Sequence, residues 1–251
     1  LYRDRTDITH ATYLNAVFYH DKGVPAKIIL SSDSILGADG LVSAPEINTI
    51  QQLKGLRVAV EVYTDEHFLL INALKSAGLR ESDVVIVSST SGEAQDLFVR
   101  GRVDACMTYE PYLSGAANAR NGNILWTTKD LPGYMVDVLV ARSSAISSRS
   151  SELAIIIDAW YRAQQFVEEH PDEAFEIMSQ HNGMDVDTFA DFYRQFEMYT
   201  IQENRDIFSS DELANLLSNM NDFLYENGAI TELADIALLL EPRFVREDRR
   251  P

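Results

Sequence analysis

The chain has 251 residues, 46% of them hydrophobic, and a formal net charge of −18 from 21 Lys and Arg against 39 Asp and Glu. That length suits one large domain or two lobes with a well-buried core. The acidity argues against nucleic-acid binding, which needs clustered Lys and Arg on phosphates, and no run approaches the ~20 apolar residues of a membrane span.

The chain opens on "LYRDRTDI", neither a start methionine nor a targeting segment, so a processed or trimmed product is expected. "AKIILSS" (26–32) reads as a buried strand. "TIQQLKG" follows as a short helix stopped by Gly55, and "RVAVEV" (57–62) as the next strand. Helical spacing over 67–77 ends at Gly78, a residue suited to a left-handed cap. "DVVIVSS" (83–89) is a strand, "SGEAQDLFVRG" a helix ending at Gly101, and "VDACMTYEP" a strand running into a turn. Its Cys106 is the single cysteine; no disulfide within the chain is possible, and the expected role is a buried thiol. "NILWTT" and "YMVDVLVAR" are two more strands. Strands separated by helices of ~10 residues predict βαβ units and a mostly parallel sheet.

From Ser151 onward the pattern is almost wholly helical. Predicted helices run from Ser151 to His170, from Pro171 at a first helical turn, over 185–199, from Ser210-Asp211-Glu212 to about Asn227-Gly228, and over 231–240. A faint internal echo links "RTDITHATYLNAVFYHDKGVPAKIIL" with "GRVDACMTYEPYLSGAANARNGNILW". Duplication would place the Thr12-Tyr13 and Thr108-Tyr109 turns in matching positions, facing a shared cleft.

No GxSxG, P-loop, GxGxxG after a strand or HExxH is present. The histidines at 10, 20, 67, 170 and 181 have no metal-ligand spacing, so neither a metal nor a cofactor is expected. The residues at strand ends are the candidates for ligand contact: Thr12, Tyr13, Ser32, Asp33, Tyr63, Thr64, His67, Tyr109, Glu110 and Asp137. Each has a plainer role open to it. Thr64 or Asp65 would cap the following helix, His67 would sit in core or on the surface, and Asp33 or Glu110 would brace a turn. A carboxylate-rich cleft would repel sulfonate, nitrate or phosphate and would suit a cation or an aminated heterocycle stacked on tyrosine.

Several stretches carry a family resemblance: "TYLNAVFYHDKGVPAKIIL", "DSILGADGLVSAP", "HFLL", "SDVVIV", "EAQDLFVRGRVDACMTYEPYLS" and "LPGYMVDVLVAR". In order and spacing the chain resembles the nitrate/sulfonate/taurine-type solute-binding proteins of ABC transporters, a group that includes the NMT1/Thi5-like thiamine-precursor binding proteins. The resemblance implies an α/β type II periplasmic-binding fold: two α/β lobes around a cleft, with C-terminal helices, closing by hinge motion. It places lobe 1 at 1–56 and 134–251 with the helical tail, lobe 2 at 57–133, and the hinge at strands near Gly40–Ala44 and Tyr134–Ala141. In relatives, the segments matching 32–40, 63–67 and 109–110 contact ligand.

The relatives begin with a strand, a helix and a strand that have no counterpart ahead of "RTDI", which implies a longer source protein or a strand supplied by another chain. The cysteine-rich motif of the related pyrimidine-synthesising enzymes is also absent. The resemblance thus implies a non-enzymatic, periplasmic or extracytoplasmic protein that captures a small solute for an ABC permease. Two alternatives stay open. One is a ligand-sensing domain of a signalling receptor, which the basic "RFVREDRRP" tail would suit. The other is an enzyme of pyrimidine or cofactor biosynthesis using His67 and Glu110 as acid and base.

Overall fold

A computed structural model describes residue 1 and residues 6–246; the last five residues of the basic tail lie outside the described residues. The chain divides into two compact units, one of residues 1–34 and 136–251 and one of residues 35–135.

The first unit opens with β1 (Ile8–Thr12), α1 (Tyr13–Asp21) and β2 (Ala26–Ile35, whose last residue is counted with the second unit). It resumes with β8 (Val136–Arg142), and its sheet order is β1-β8-β2-β9, the last strand being Phe196–Met198. β8 runs antiparallel to both β1 and β2. The helices are α5 (Ser143–Ser148), α6 (Ser150–Glu169), α7 (Pro171–Asn182), α8 (Val186–Tyr193), α9 (Ile201–Ser209), α10 (Asp211–Glu226) and α11 (Ile236–Leu239). Ile29, Leu30, Leu139, Ile146, Leu153 and Ile157 join strands to helices in one buried cluster. Each such side chain contributes about 1.5–3 kcal/mol by leaving water.

Local signals start several helices as expected. Pro171 occupies the first turn of α7, where its missing N–H is harmless. Ser210 caps α10, its hydroxyl accepting from Leu213 N at 3.2 Å. The predicted helix over 185–199 stops at Tyr193 instead, and β9 follows. Tyr199 N donates to Ser32 O at 3.0 Å, so sheet pairing overrides the helical spacing. Over 231–240 only α11 forms, capped by Asp235.

The second unit contains β3 (Asp39–Ser43), β4 (Arg57–Val60), α2 (Asp65–Ser76), β5 (Val85–Ser88), α3 (Ser91–Val99), β6 (Ala105–Tyr109), α4 (Tyr112–Arg120) and β7 (Asn123–Thr127). Its sheet order is β5-β4-β6-β3-β7. β4 is parallel to β5 and β6, whereas β3 is antiparallel to β6 and β7. Val42, Phe98, Val103, Cys106 and Leu113 form the core between sheet and helices. Cys106 is the expected buried thiol, pushed by burial up to about 12.

Two expectations need correction. The sheets are mixed rather than mostly parallel, because β3 and β8 each insert antiparallel between the two strands of a strand-helix-strand unit. The boundary expected at residue 56 falls after Ser34, because β3 bonds to β6 and β7 and so carries the segment before β4 into the second unit. The strand at Gly40–Ala44, expected as a crossing, therefore lies wholly inside that unit. The echo seen in the sequence corresponds to two segments of the same form, β1-α1-β2 and β6-α4-β7.

Candidate functional site

In the first unit, β2 carries four polar residues, Ser31 to Ser34, into a strand interior that is buried throughout. Each needs a partner, since an unpaired buried polar group costs about 1–3 kcal/mol. Tyr13, at the start of α1, is itself buried, and its hydroxyl lies 2.6 Å from Ser31 Oγ. Burial pushes its phenol well above the ordinary range. Tyr13 is thus a core brace rather than an open wall of a pocket. Thr12 caps α1, accepting from Asn15 N at 3.1 Å. Asn204 of α9 brackets Ser31, accepting from its N–H and donating to its carbonyl, both at 2.8 Å.

His10 of β1 places Nε2 2.9 Å from Ser32 Oγ, and its ring stacks with Trp160 at 6.0 Å between centroids. Beside them Asp33 is 3% exposed, and its Oδ1 has no hydrogen-bond partner. Asp33 is the cross-strand partner of Asp137, which also pairs with Thr12 on its other side. A register shift between Ser31 and Asp33 is a bulge of the kind that re-aims side chains at sites. One ligand-capable atom each from His10, Asp33 and Asp137 lies within 4.8 Å of the others. Desolvation raises both carboxyl groups above the usual carboxylate range. Asp137 reaches about 6, with the charge of Asp33 adding to the rise and His10 opposing it. Desolvation likewise raises the phenols of Tyr193 and Tyr199, and the charge of Asp33 raises each further.

In the second unit the turn 63–67 joins β4 to α2. Tyr63 adopts φ 69° and is 43% exposed, a left-handed conformation uncommon for a bulky residue. Its N–H donates to His67 Nδ1 at 3.3 Å, and His67 Nε2 lies 3.1 Å from Glu81 Oε1. Both ring nitrogens of the buried His67 are therefore engaged within the protein, and its role is to brace the turn. Thr64 is the N-cap by position, but its side chain makes no capping bond. Its hydroxyl lies 2.7 Å from Glu61 O and 2.6 Å from Glu66 Oε2.

Glu66 is buried, and desolvation pushes its carboxyl upward; Thr64 opposes the rise and the charge of Glu61 adds to it. Glu61 Oε2 accepts from Ser91 N at 3.1 Å. Tyr109, at the end of β6, is 39% exposed and meets Tyr112 edge-on with centroids 5.5 Å apart. Desolvation raises its phenol, and the charges of Glu66 and Glu61 add to that. Glu110 is half-buried, with Oε2 accepting from Ser114 N at 3.2 Å and its own N–H donating to Ala38 O at 2.8 Å. It braces α4 against the loop before β3.

Each unit thus gathers part of the predicted set. Asp33, Ser32 and Asp137 come together with His10 in the first, and Thr64 and Tyr109 come together with Glu61 and Glu66 in the second, with Tyr63 next to Thr64 in the turn and against His67. Residues 15–180 match the sequence model of the NMT1-like family. The chain belongs to the NMT1-like family. This NMT1-like chain is 25% identical over 190 residues to a protein of Escherichia coli (strain K12) provisionally named an aliphatic sulfonates-binding protein, covering 76% of this chain and 58% of that one. A Bacillus subtilis (strain 168) protein with the same provisional name is 24% identical, over 97% of this chain and 72% of the other. The chain therefore spans between about half and three quarters of the length of these relatives.

Among solved structures, the periplasmic aliphatic sulphonate binding protein SsuA from Escherichia coli superposes with a TM-score of 0.78 at 20% identity, over 95% of this chain and 80% of that one. The desulfurization enzyme DSZB superposes with a TM-score of 0.67 at 13% identity, over 95% and 83%. The periplasmic-binding α/β fold expected from the sequence is thereby matched.

Proposed function

We propose that this protein captures a small organic solute outside the cytoplasm and presents it to an ABC permease, without covalent chemistry. Membership of the NMT1-like family and the names of its relatives support that reading. No helix among the described residues is long and apolar enough to cross a membrane, in keeping with a partner that supplies the membrane part.

The ligand class rests on one observation: carboxyl groups lie in buried or half-buried places in both units, Asp33 inside β2 and Asp137 at the start of β8 in one, Glu61 just past β4 and Glu66 in the first turn of α2 in the other. An anionic sulfonate head would meet repulsion there. An amine-bearing or heteroaromatic solute of the thiamine-precursor kind would be attracted by the carboxylates and by the faces of Tyr63 and Tyr109. Within the first unit Ser32, Asp33 and Asp137 are the proposed contacts; within the second, taken by itself, they are Tyr63, Thr64 and Tyr109. Thr12, Tyr13, His67 and Glu110 support them.

A thermal-shift screen of alkyl amines, aminopyrimidines, amino acids and alkanesulfonates, followed by calorimetric titration, tests this. A bound solute at a hundredfold excess over Kd stabilises by about 2.7 kcal/mol. A shift with an amine or an aminated heterocycle, and none with an alkanesulfonate, is the expected result. Tight alkanesulfonate binding with no response to amines would overturn the ligand class.

A further inference from the structure

We propose that His10, Asp33 and Asp137 form a binding site for a divalent first-row transition-metal ion. The three side chains come from three adjacent strands, β1, β2 and β8, and each brings a ligand atom within 4.8 Å of the others. Around an ion with bonds of about 2.1 Å, tetrahedral ligand atoms lie about 3.4 Å apart. Small side-chain rotations close that difference.

A second observation stands apart from the cluster's composition. Asp33 is almost completely buried, and its Oδ1 meets no donor. A carboxyl oxygen in such a place calls for a cation or a donor that the protein does not supply. The opposition of Asp33 and Asp137 across the ladder adds a like-charge pair that is unfavourable in the bare protein and that a dication would offset.

The surroundings resemble those of a metal ligand. Ser32 Oγ lies 2.9 Å from His10 Nε2. That hydroxyl, which also bonds the Asp33 carboxylate, holds the imidazole beside the cluster. Trp160 stacks against one side of the same ring, which otherwise stays open to solvent. An imidazole in the donor set favours zinc, cobalt or nickel over magnesium and calcium. Three protein ligands leave a coordination position that a neutral amine or ring nitrogen of the proposed solute fits. Ion binding itself does not rest on that reading, since the test below contains no solute.

The test is titration of chelator-treated, desalted protein with ZnCl2 by calorimetry and with CoCl2 by visible absorption, at pH 7.5. The expected result is one equivalent per chain with a cobalt ligand-field band. H10Q, D33N and D137N should each weaken binding roughly tenfold or more, and H181Q, at an exposed helical position, should leave it unchanged. Zinc should also shift one histidine imidazole resonance of the unsubstituted protein, the one missing from H10Q, so the outcome does not hang on a variant that fails to fold. No saturable uptake, uptake unchanged in H10Q and D33N, or equal competition by MgCl2 would each overturn the proposal.

Discussion

Asp33 and Asp137 face each other as cross-strand partners of β2 and β8, with no residue between them. Two carboxylates so placed resist ionising together, and burial strengthens the resistance. This pair ties the local chemistry of the first unit to its stability.

Asp137 has a folded pKa of about 6, raised from 3.8 first by desolvation and then by Asp33. Because the folded value lies above the unfolded one, its contribution to stability is fully present below about pH 4 and is lost as pH rises through 6. After allowance for partial exposure the effect is on the order of 1–2 kcal/mol. Asp137→Asn is therefore expected to raise the melting temperature at pH 7.5 and to do little at pH 4.5, in the presence of chelator. An equal change at both pH values would contradict the assignment.

Asn204 closes both backbone groups of Ser31 from 173 residues away. Asn204→Ala leaves a buried N–H and a buried carbonyl without partners, at about 1–3 kcal/mol each. Urea unfolding should show a loss of about 2–6 kcal/mol with an unchanged slope. A loss under 1 kcal/mol would mean that water or a neighbour replaces the amide.

Tyr63 pays for its φ of 69° with about 1 kcal/mol of backbone strain. Tyr63→Gly should hold or raise thermal stability while weakening solute capture, since the exposed ring is a proposed contact. Retention of full affinity would remove Tyr63 from the site.

Gly122 sits where a Cβ would meet Ser43 O at 2.7 Å, Val42 Cγ2 at 3.0 Å and Phe98 Cζ at 3.1 Å. The first of these is backbone and cannot swing aside. Gly122→Ala is expected to cost about 1–3 kcal/mol, seen as a fall of several degrees in melting temperature. A melting temperature equal to that of the unsubstituted chain would show that the β3 backbone yields.

What could be read in advance followed the range of the forces involved. Caps and breakers act within a turn, so Pro171, Ser210 and Gly78 marked helix ends correctly. The family resemblance supplied the fold. Strand register is a long-range property: nothing near "YMVDVLVAR" announces that it inserts between β1 and β2, or that Asp137 meets Asp33. His10 shares a strand face with Thr12 by period two, a usable signal, but only the register with β8 connects it to two carboxylates. Glu61 and Ser91 were missed because their contact joins the end of β4 to the start of α3. Tyr13 and His67, expected at strand ends, lie in the first turns of α1 and α2, and whether a polar tip turns inward or outward depends on partners such as Ser31 and Glu81.

The order of strands also sets an order of assembly during synthesis. Among the described residues β1 pairs with β8, and β2 lies between β8 and β9, so these pairings form only after residue 136 and beyond have left the ribosome. The second unit is contiguous and has all its strands once Thr127 has emerged. The inserted unit can thus mature while the N-terminal strands wait, and a nascent chain halted near residue 175 is the shortest that holds β8 clear of an exit tunnel of roughly 30 residues' length.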